Sequence, residues 1–535
     1  MVGTPCVFVC VNSKQLYLPV RQHRPGIVAG IVKPPTVGGT AQPAQPVRAS
    51  DLVGCRYRLR QRRAHPDTPE LPDALLRQPQ IDAGRAAVFD ALPVRRAVGD
   101  GRGKAFTRID IDPGAGVDAR IVETRLALKR RAHLITNAAL EGEVDGVPTL
   151  AEVDVLVRTE RGYAPVIISN HRVAREHPTN EMLMVPTGRL GLGRAMTVKA
   201  KGRHHTVDGY RLAMAHVLLG TLADGRGGAV GQDRARVYVV DPARYVPQLR
   251  EALAVEIPDE PKRMKQCASC RFWPLCKPRL EELDDISLLL PGGRGDVWRE
   301  EGITTVQSLI DDGPAEPAAI ARAWRAGIPV LRREKLAPVP RADVEIDIDM
   351  EAYLDQGAYL WGAYDGEEYR AFVTWEDVGG AAEEANFNAF WSWLMQRRRD
   401  AREAGQTFRA YCYAAGGENH WLRSSARRFA SVDEAEVAEF IASEDWVDVF
   451  ALVRRSLVGT DGLGLKVLGP VVGFAWEDDD VDGERSVALR RAGRLGDIDA
   501  RDMLIRYNED DCLATRAVRD FLDAGAPGVP RLGEV

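Results

Sequence analysis

A run of alternating acidic residues near position 350 is the first feature of the sequence that could do chemistry. In VEIDIDME, apolar side chains alternate with carboxylates, which predicts a β-strand with one apolar face and one acidic face. The acidic face carries Glu345, Asp347, Asp349 and Glu351. Like charges in a row on one face repel one another unless a cation lies among them. The pattern therefore predicts a divalent-metal site, with an exposed edge strand as the alternative.

Two later segments supply further oxygen ligands. RAYCYAAGGENHWL is a predicted strand that runs into a loop holding a single acid, Glu418. The predicted helix YNEDDCLATRAVRDFL contains Tyr507 and, four residues later, Asp511. Carboxylate oxygens are the ligands that hard divalent cations prefer, and the roles of these two acids follow from the family resemblance described below. Other candidates nearby are Asn419, Asp510 and, in WVDVF, Asp448, for which a surface or capping role is the alternative.

Four of the eight cysteines have the spacing of metal ligands. Cys267, Cys270 and Cys276 form a C-x2-C-x5-C motif, and Cys55 lies alone far upstream. Four thiolates can bind one tetrahedral ion or a 4Fe–4S cluster. Zinc ribbons usually contain two close pairs, so one isolated cysteine favours a cluster that joins two ends of a domain. The alternatives are zinc and unliganded buried cysteines.

The segment AEVDVLVRTERGYAPVIIS lies between Cys55 and the other three cysteines. It predicts a β-hairpin, with two β-rich runs around a Glu-Arg-Gly turn at residues 160–162. Asp154 lies on the first strand, with Glu152 on the same face. This hairpin and the cysteines around it resemble the iron–sulfur nucleases of the RecB type. The resemblance implies a restriction-endonuclease-like fold, a 4Fe–4S cluster on the four cysteines and a metal-binding role for Asp154.

This sequence departs from the RecB-type pattern at most of the other positions. The family has an acid and a lysine on the second strand, where this chain has Ile167, Ile168, Ser169 and Asn170. His171 and Arg172 are possible substitutes for the lysine. The family also has a histidine on an early helix and Gln-x3-Tyr on a later one, and this chain has Ala87 and Val88, then Arg211 and Ala215. We therefore expect this site to be degenerate and its lobe to bind DNA without cutting it.

The C-terminal acids resemble a second family. An acidic strand, a middle acid after a strand and a terminal Tyr-x3-Asp occur in this order in the DEDD-type 3′–5′ exonucleases of the RNase H-like fold, in their tyrosine variant. The resemblance implies that Asp347, Asp349 and Asp511 bind two Mg²⁺ or Mn²⁺ ions, that Glu418 is the middle acid, and that Tyr507 orients the attacking water. The whole chain from about residue 48 resembles a fusion of these two nuclease types.

These features predict an α/β protein in four parts. Residues 1–47 are rich in Pro and Gly and are expected to be a flexible segment. Residues 48–282 form the RecB-like lobe, residues 283–338 a helical linker and residues 339–528 the RNase H-like exonuclease domain. The linker contains a glycine turn, PGGRG, similar to that of a helix-hairpin-helix element, in which residues 292–295 would contact a phosphate backbone.

Composition limits the partners that we expect. The net charge of −5 cannot by itself attract nucleic acid, so binding would need local basic patches such as those at residues 56–63, 129–131 and 397–399. The chain shows neither a signal peptide nor a stretch long enough to span a membrane, so a cytoplasmic protein is expected. No Walker-type motif is present in the sequence, and hence no helicase motor is predicted.

The predicted function is a metal-dependent nuclease of the 3′–5′ exonuclease type that acts on DNA more readily than on RNA. One alternative is a non-catalytic DNA-binding protein with a structural cluster. The other is a nuclease that cuts through Asp154 in the RecB-like lobe.

Overall fold

Two mixed β-sheets and the helices packed on them carry the candidate residues. The computed structural model describes residues 45–94, 106–354, 356–478, 481 and 483–535. Most of the predicted flexible segment, up to residue 44, lies outside the described residues. Val47 is paired with the first sheet, because its N–H donates to the Pro148 carbonyl and its own carbonyl accepts from the Leu150 N–H. Pro46–Val535 forms one compact unit.

Eight strands form the first sheet: β1 (Arg108–Asp110), β2 (Leu134–Val144), β3 (Val147–Arg158), β4 (Tyr163–Ile168), β5 (Ala174–Pro186), β6 (Met196–Gly202), β7 (Gly227–Val230) and β8 (Arg236–Val240). Their order across the sheet is β1-β2-β3-β4-β7-β8-β5-β6. The predicted hairpin is confirmed, since β3 and β4 pair antiparallel with Val155 opposite Val166. All six residues of β4 are buried, as expected for a strand covered on both faces.

Six helices accompany this sheet: α1 (Tyr57–Ala64), α2 (Pro72–Ala91), α3 (Val117–Lys129), α4 (Thr206–Leu219), α5 (Val246–Ala254) and α6 (Trp273–Glu282). The predicted helix around VDGYRLAMAHVLL is α4, which buries Leu212, Ala213 and Met214 against the sheet. Strand β7 lies beside β4 and runs parallel to it, and the chain between them forms β5, β6 and then α4. This helical crossover brings the end of β4 close to the face of α4.

The region predicted as a linker, residues 283–338, contains short helices. It contains α7 (Asp296–Glu300), α8 (Val306–Asp312), α9 (Ala315–Arg325) and a short strand, β9 (Val330–Arg332). The glycine turn is a 3-10 turn, Gly292–Gly295, that leads into α7. Its backbone meets the segment before the cysteine motif, because the Gly292 N–H donates to the Arg263 carbonyl.

The C-terminal region has a five-stranded sheet. Its strands are β10 (Val344–Tyr353), β11 (Gly357–Tyr364), β12 (Tyr369–Val373), β13 (Phe408–Cys412) and β14 (Trp446–Asp448), and a further strand, β15 (Leu457–Gly459), pairs with β9. The sheet order is β12-β11-β10-β13-β14. The acidic strand β10 is central, antiparallel to β11 and parallel to β13. The edge-strand alternative for VEIDIDME is therefore wrong.

Seven helices complete this region: α10 (Ala381–Glu403), α11 (Gly416–Arg428), α12 (Glu434–Ala442), α13 (Val449–Ser456), α14 (Leu465–Val472), α15 (Gly483–Arg494) and α16 (Ile498–Asp523). The apolar face of β10, with Ile346 and Ile348, packs into a core with α10 and α11. The final helix α16 packs along β10 and β11 and brings Asp511 to the acidic strand. The segment after β13 differs from expectation, because GGENHWL begins helix α11 and Glu418 lies in its first turn.

The α/β class expected from the sequence is confirmed at this level by the two mixed sheets and their helices. Across the described ranges, no helix combines the length and apolar character needed to cross a membrane.

Candidate metal centre

Three carboxylates converge at the centre of the C-terminal sheet. One oxygen each from Asp349, Glu351 and Asp511 lie within 4.8 Å of one another, which makes this the one acidic group of metal-binding geometry among the described residues. Asp349 and Glu351 share a face of β10 because side chains alternate along a strand, and Asp511 comes from α16. Residues more than 150 positions apart in the chain thus meet at one point.

Asp349 is held in place by an amide from the same helix that carries Asp511. Asn508 Nδ2 donates to Asp349 Oδ2 at 2.7 Å, and Asn508 Oδ1 in turn accepts from the Tyr369 hydroxyl at 2.7 Å. Gly362 lies opposite Asp349 on β11, and a Cβ there would stand 1.7 Å from Asn508 Oδ1. The absence of a side chain at Gly362 is what lets this amide reach the carboxylate.

Asp511 has a separate set of supports. Trp476 Nε1 donates to Asp511 Oδ1 at 2.8 Å, and Tyr507, one helical turn earlier on α16, helps to lower the pKa of the Asp511 carboxyl against the effect of burial. Lys466 Nζ lies 4.1 Å from the centroid of the Trp476 ring and 5.1 Å from that of Tyr507. A cation and a phenol therefore flank the carboxylate cluster on the α14 side.

Glu418 approaches the cluster from α11. Its side chain is buried, and Glu418 Oε2 has no hydrogen-bond partner within the described part of the chain. Its charge contributes to the raised pKa of Asp349, which places the two carboxylates within electrostatic reach. The alternative candidate Asn419 is engaged elsewhere, because its Oδ1 accepts from Trp446 Nε1 at 2.9 Å. Asp448 caps α13 by accepting from the Ala451 N–H, which confirms the capping alternative.

The carboxyl groups of this centre hold their protons more tightly than usual. Desolvation raises the pKa of Glu351 to about 8, and repulsion from Asp511 adds to the shift. Desolvation also raises the pKa of Glu418 to about 7 and that of Asp511 to about 6, the latter against the hydrogen bond from Trp476. For Asp349 desolvation raises the pKa well above the ordinary value, with Asp511 and Glu351 adding to it. Burial and mutual repulsion therefore both disfavour the charged forms of these carboxyl groups.

Asp347 lies in a different environment from Asp349. Its buried carboxylate accepts from Arg519 Nε at 3.1 Å and from Arg519 Nη2 at 2.9 Å, and Arg516 Nη1 stands 3.5 Å away. Glu345 also binds Arg519, at 2.6 Å. The four acids of β10 are thus divided: Glu345 and Asp347 pair with arginines of α16, and Asp349 and Glu351 face Asp511.

The sequence singled out Asp347, Asp349, Glu418, Tyr507 and Asp511, of which the structure brings all but Asp347 to one centre. Asp510, the alternative to Asp511, instead accepts from the Glu477 N–H at 2.8 Å. Glu351 was visible in the alternation but not chosen as a site residue. Asn508 lies inside the Tyr-x3-Asp motif and could have been considered, whereas nothing in the sequence pattern pointed to Trp476 or Lys466.

The four candidate cysteines line one cavity. Cys55 comes from the segment before α1, Cys267 and Cys270 from the turn before α6, and Cys276 from α6 itself. All are free thiols, and burial raises the pKa of Cys276 to about 12, with the other three cysteines adding to the shift. Within the described ranges, no three of these thiols lie within 4.8 Å of one another. One zinc ion with bonds of about 2.3 Å would hold them closer than that.

Asp154, the candidate acid of the first sheet, is neutralised by arginines. Its buried carboxylate is 2.8 Å from Arg85 Nη2 and 2.8 Å from Arg211 Nη2, and it accepts from the Ile168 N–H at 2.6 Å. Glu152, on the same strand, pairs with Arg120 at 2.8 Å. Guanidinium groups thus stand where a cation would have to bind.

One comparison with known proteins finds a match. Residues 347–522 match the family model of the RNase_H superfamily. Neither the curated proteins nor the solved structures give a match to the chain. The matched span begins on β10 and ends within α16, so it encloses every residue of the carboxylate centre. This region is therefore an RNase H-like domain, which indicates phosphodiester hydrolysis of nucleic acid at a general level.

Proposed function

We propose that the C-terminal domain, residues 339–528, is a metal-dependent nuclease whose active site is built by Asp349, Glu351, Glu418 and Asp511. The observation that carries this proposal is the convergence of three carboxylates within 4.8 Å, inside the span that matches the RNase_H superfamily. The refined assignment replaces Asp347 by Glu351 as the second acid of the strand. It keeps the middle and terminal acids as the sequence predicted them.

The donor set fits Mg²⁺ or Mn²⁺. All four side chains offer carboxylate oxygens, which hard divalent cations prefer. The crowding of these acids raises their pKa values, and Glu418 Oε2 is a buried oxygen with no partner in the described part of the chain. A bound cation would neutralise the crowded acids and would give Glu418 Oε2 a partner. When bound, the metal would lower the pKa of water and stabilise charge on a phosphoryl oxygen.

The remaining side chains would set the geometry of the reaction. Tyr507, which lies one helical turn before Asp511 on α16, would orient a water molecule beside the acids. Asn508 and Trp476 fix the orientations of Asp349 and Asp511, so that these carboxylates are held before substrate arrives. Lys466 lies beside the same acids as a cation of the right charge to meet a phosphate.

The finer assignment is a 3′–5′ exonuclease acting on DNA. It follows from the resemblance of the acid order and of Tyr507-x3-Asp511 to the tyrosine variant of the DEDD-type enzymes. Under the same proposal, the first sheet is a RecB-like lobe that has lost catalysis. Its order of elements, α3-β2-β3-β4 and then α4-β7 after the inserted hairpin β5-β6, supports the restriction-endonuclease-like comparison, and the two arginines on Asp154 support the loss of metal.

For the four cysteines the proposal is a structural 4Fe–4S cluster. The support is their common cavity together with the C-x2-C-x5-C spacing and the isolated Cys55. Such a cluster would tie the segment before α1 to α6 and close the RecB-like lobe. The proposal also keeps the prediction that the linker resembles a helix-hairpin-helix element, whose glycine turn at Gly292–Gly295 would contact DNA.

The test is a cleavage assay on end-labelled single-stranded and double-stranded DNA and RNA, with Mg²⁺, Mn²⁺ or chelator, on anaerobically purified protein. We expect metal-dependent release of nucleotides from the 3′ end by wild type and none by Asp349→Asn. Nucleic-acid binding without cleavage under every metal condition would instead favour the non-catalytic binding protein. Cleavage that survives Asp349→Asn and is lost in Asp154→Asn would assign the chemistry to the first lobe.

A further inference from the structure

Two arginines from separate elements contact the buried carboxylate of Asp154, and a third, Arg234, lies within its electrostatic reach. Arg85 comes from α2 and Arg211 from α4, each with one guanidinium nitrogen 2.8 Å from an Asp154 oxygen. Arg234 lies in the turn between β7 and β8, where its Nη1 donates to the Ser169 carbonyl at 2.9 Å. Ser169 is the residue that follows β4, so all three cations surround the positions at which a RecB-type nuclease would carry its metal.

Arg234 packs closely against helix α2 at Gly84, the residue before Arg85. A Cβ on Gly84 would stand 2.7 Å from Arg234 Nη2, so the glycine next to Arg85 leaves room for the guanidinium group of Arg234. Burial lowers the pKa of Arg234, and the charges of Asp233 and Asp154 oppose that shift. The electrostatic reach of Asp154 therefore extends to the third arginine.

Positive charge exceeds negative charge at this cluster. Asp154 carries one negative charge against three guanidinium groups. Asp208 accepts from the Ser169 hydroxyl at 2.6 Å and lies 3.9 Å from Arg211, and Glu152, whose charge also acts on Arg211, pairs with Arg120. Asp233 pairs with Arg236. The acids that face the cluster thus leave an excess of cationic donors.

All three cations are partly open to solvent. The side chains of Arg85 and Arg211 are 33% and 23% exposed, whereas Asp154 is 1% exposed. Arg85 uses its Nη2 for Asp154 and Asn137, and within the described part of the chain its other guanidinium nitrogens are left for another acceptor. A guanidinium offers five donors in a planar fork, which matches the oxygens of a phosphate.

We propose that Arg85, Arg211 and Arg234 form a metal-free binding site for a backbone phosphate of a nucleic-acid strand. The site rests on the proposed nuclease function, because the strand that it holds is the one cut in the C-terminal domain. Asp154 acts as the positioning residue: it aligns two guanidinium groups from beneath and leaves their outer donors to the phosphate. In this lobe, the arginines would hold the phosphate through direct hydrogen bonds, whereas a catalytic nuclease holds it through a metal ion.

The test measures binding of a fluorescent single-stranded oligonucleotide by anisotropy, without divalent ions, over a range of salt concentrations. We expect Arg85→Gln and Arg211→Gln each to weaken binding several-fold and to lower the log–log salt slope by about 0.7, the value for one phosphate contact on a single strand. Asp154→Asn should tighten binding several-fold, because it removes the charge that competes with phosphate for the same guanidinium groups.

A matched control is Asp224→Asn, since Asp224 is also a buried acid of this lobe paired with one arginine, Arg226, at 2.6 Å. We expect this control to leave binding unchanged. Melting temperatures of all variants identify any that unfold, and Arg85→Gln, at a partly exposed position, keeps the test decisive if Asp154→Asn does not fold. Unchanged affinity in Arg85→Gln and Arg211→Gln, or weaker binding by folded Asp154→Asn, would overturn the proposal.

Two further experiments are needed. One distinguishes a nucleic-acid phosphate from free inorganic phosphate, and the other tests the nuclease proposal separately from the arginine site. Inorganic phosphate is titrated as a competitor; if it stabilises wild type while the arginine variants still bind oligonucleotide normally, the site takes free phosphate and the assignment to nucleic acid is overturned. Cleavage with Mn²⁺ is measured in parallel on wild type. Failure of cleavage removes the nuclease proposal, whereas the arginine site stands or falls on binding without metal.

Discussion

Arg519 donates from Nε and Nη2 to the two carboxylate oxygens of Asp347, at 3.1 and 2.9 Å. Both side chains are buried, and the guanidinium also reaches Glu345. This pair divides the acidic strand into a structural half and a metal-binding half. The bidentate arginine takes the neutralising role at Asp347, so that only Asp349 and Glu351 are left to face Asp511.

The division predicts opposite behaviour for neighbouring acids of one strand. Asp349→Asn should abolish cleavage, with a loss of about a thousandfold or more, because a carboxylate of the metal site is removed. Asp347→Asn should instead destabilise the fold by about 3–5 kcal/mol, since it leaves Arg519 buried without its main partner. Cleavage rates and denaturant unfolding of both variants provide the measurement.

Glu351→Gln is the companion variant, because Glu351 replaces Asp347 in the assigned centre. It should resemble Asp349→Asn in cleavage and in the loss of Mn²⁺ binding by calorimetry. If folded Asp347→Asn loses Mn²⁺ affinity while Glu351→Gln retains it, then the sequence-based choice of Asp347 was right and the assignment made from the cluster is not.

A second prediction concerns pH and metal together. The folded pKa values of about 8 for Glu351 and about 7 for Glu418 lie above the unfolded value of about 4.3. The folded metal-free protein therefore keeps protons that the unfolded chain has released. The stability from these groups is fully present below about pH 4 and is lost as the pH rises to about 8. Because Mn²⁺ binds the deprotonated carboxylates, its effect has the opposite pH dependence.

Melting temperatures with Mn²⁺ or with chelator, at about pH 6 and about pH 8, measure this linkage. We expect the increase caused by Mn²⁺ to be clearly larger at the higher pH. The double variant Asp349→Asn, Glu351→Gln should lose both the metal effect and most of the alkaline destabilisation of the metal-free protein. An equal increase at both pH values would show that Mn²⁺ does not compete with protons at these carboxylates.

The alternation of VEIDIDME was enough to predict the strand and its acidic face. It could not show which of the four acids pair with arginine and which face the metal site. That division depends on Arg519 and Asn508, which lie on a helix more than 150 residues away. Nor could the alternation show that β10 is central. The Gly-Gly pair before Glu418 indicated a loop, yet these residues begin α11, where tertiary packing of Trp421 and Leu422 outweighs the poor helix propensity of glycine.

The first lobe gives the converse case. The missing acid and lysine after β4 were readable directly and predicted a degenerate site. The arginines around Asp154 were not readable, because Arg85 and Arg234 have no fixed spacing from it and are brought near it only by the packing of α2 and the β7–β8 turn. The spacing of the cysteines was likewise readable, and their common cavity agrees with it.

A third prediction follows from the close approach at Gly362. Gly362→Ala places a methyl group 1.7 Å from Asn508 Oδ1, so Asn508 must move and Asp349 loses its hydrogen bond. We expect a loss of stability of about 1–3 kcal/mol and a lower Mn²⁺ affinity. Gly464→Ala is the control, since a Cβ there meets nothing within 4 Å. Equal Mn²⁺ affinity in the two variants would mean that Asn508 does not position Asp349.

The last prediction concerns the four cysteines. Cys55 and Cys276 line one cavity although 221 positions separate them in the chain, so a cluster bound there closes most of the first lobe into a loop. Anaerobically purified wild type should be brown, with iron and acid-labile sulfide in equal amounts and an absorbance that bleaches on reduction. Cys55→Ser should lose the colour and about 5 kcal/mol of stability, the loop-closure value for a cross-link of this span.

Cys6→Ser, at a cysteine without ligand spacing, serves as the control and should keep both the colour and the stability. A colourless wild-type protein with one zinc per chain would replace the cluster by a single ion, and a metal-free, fully stable protein would leave the cysteines as unliganded side chains.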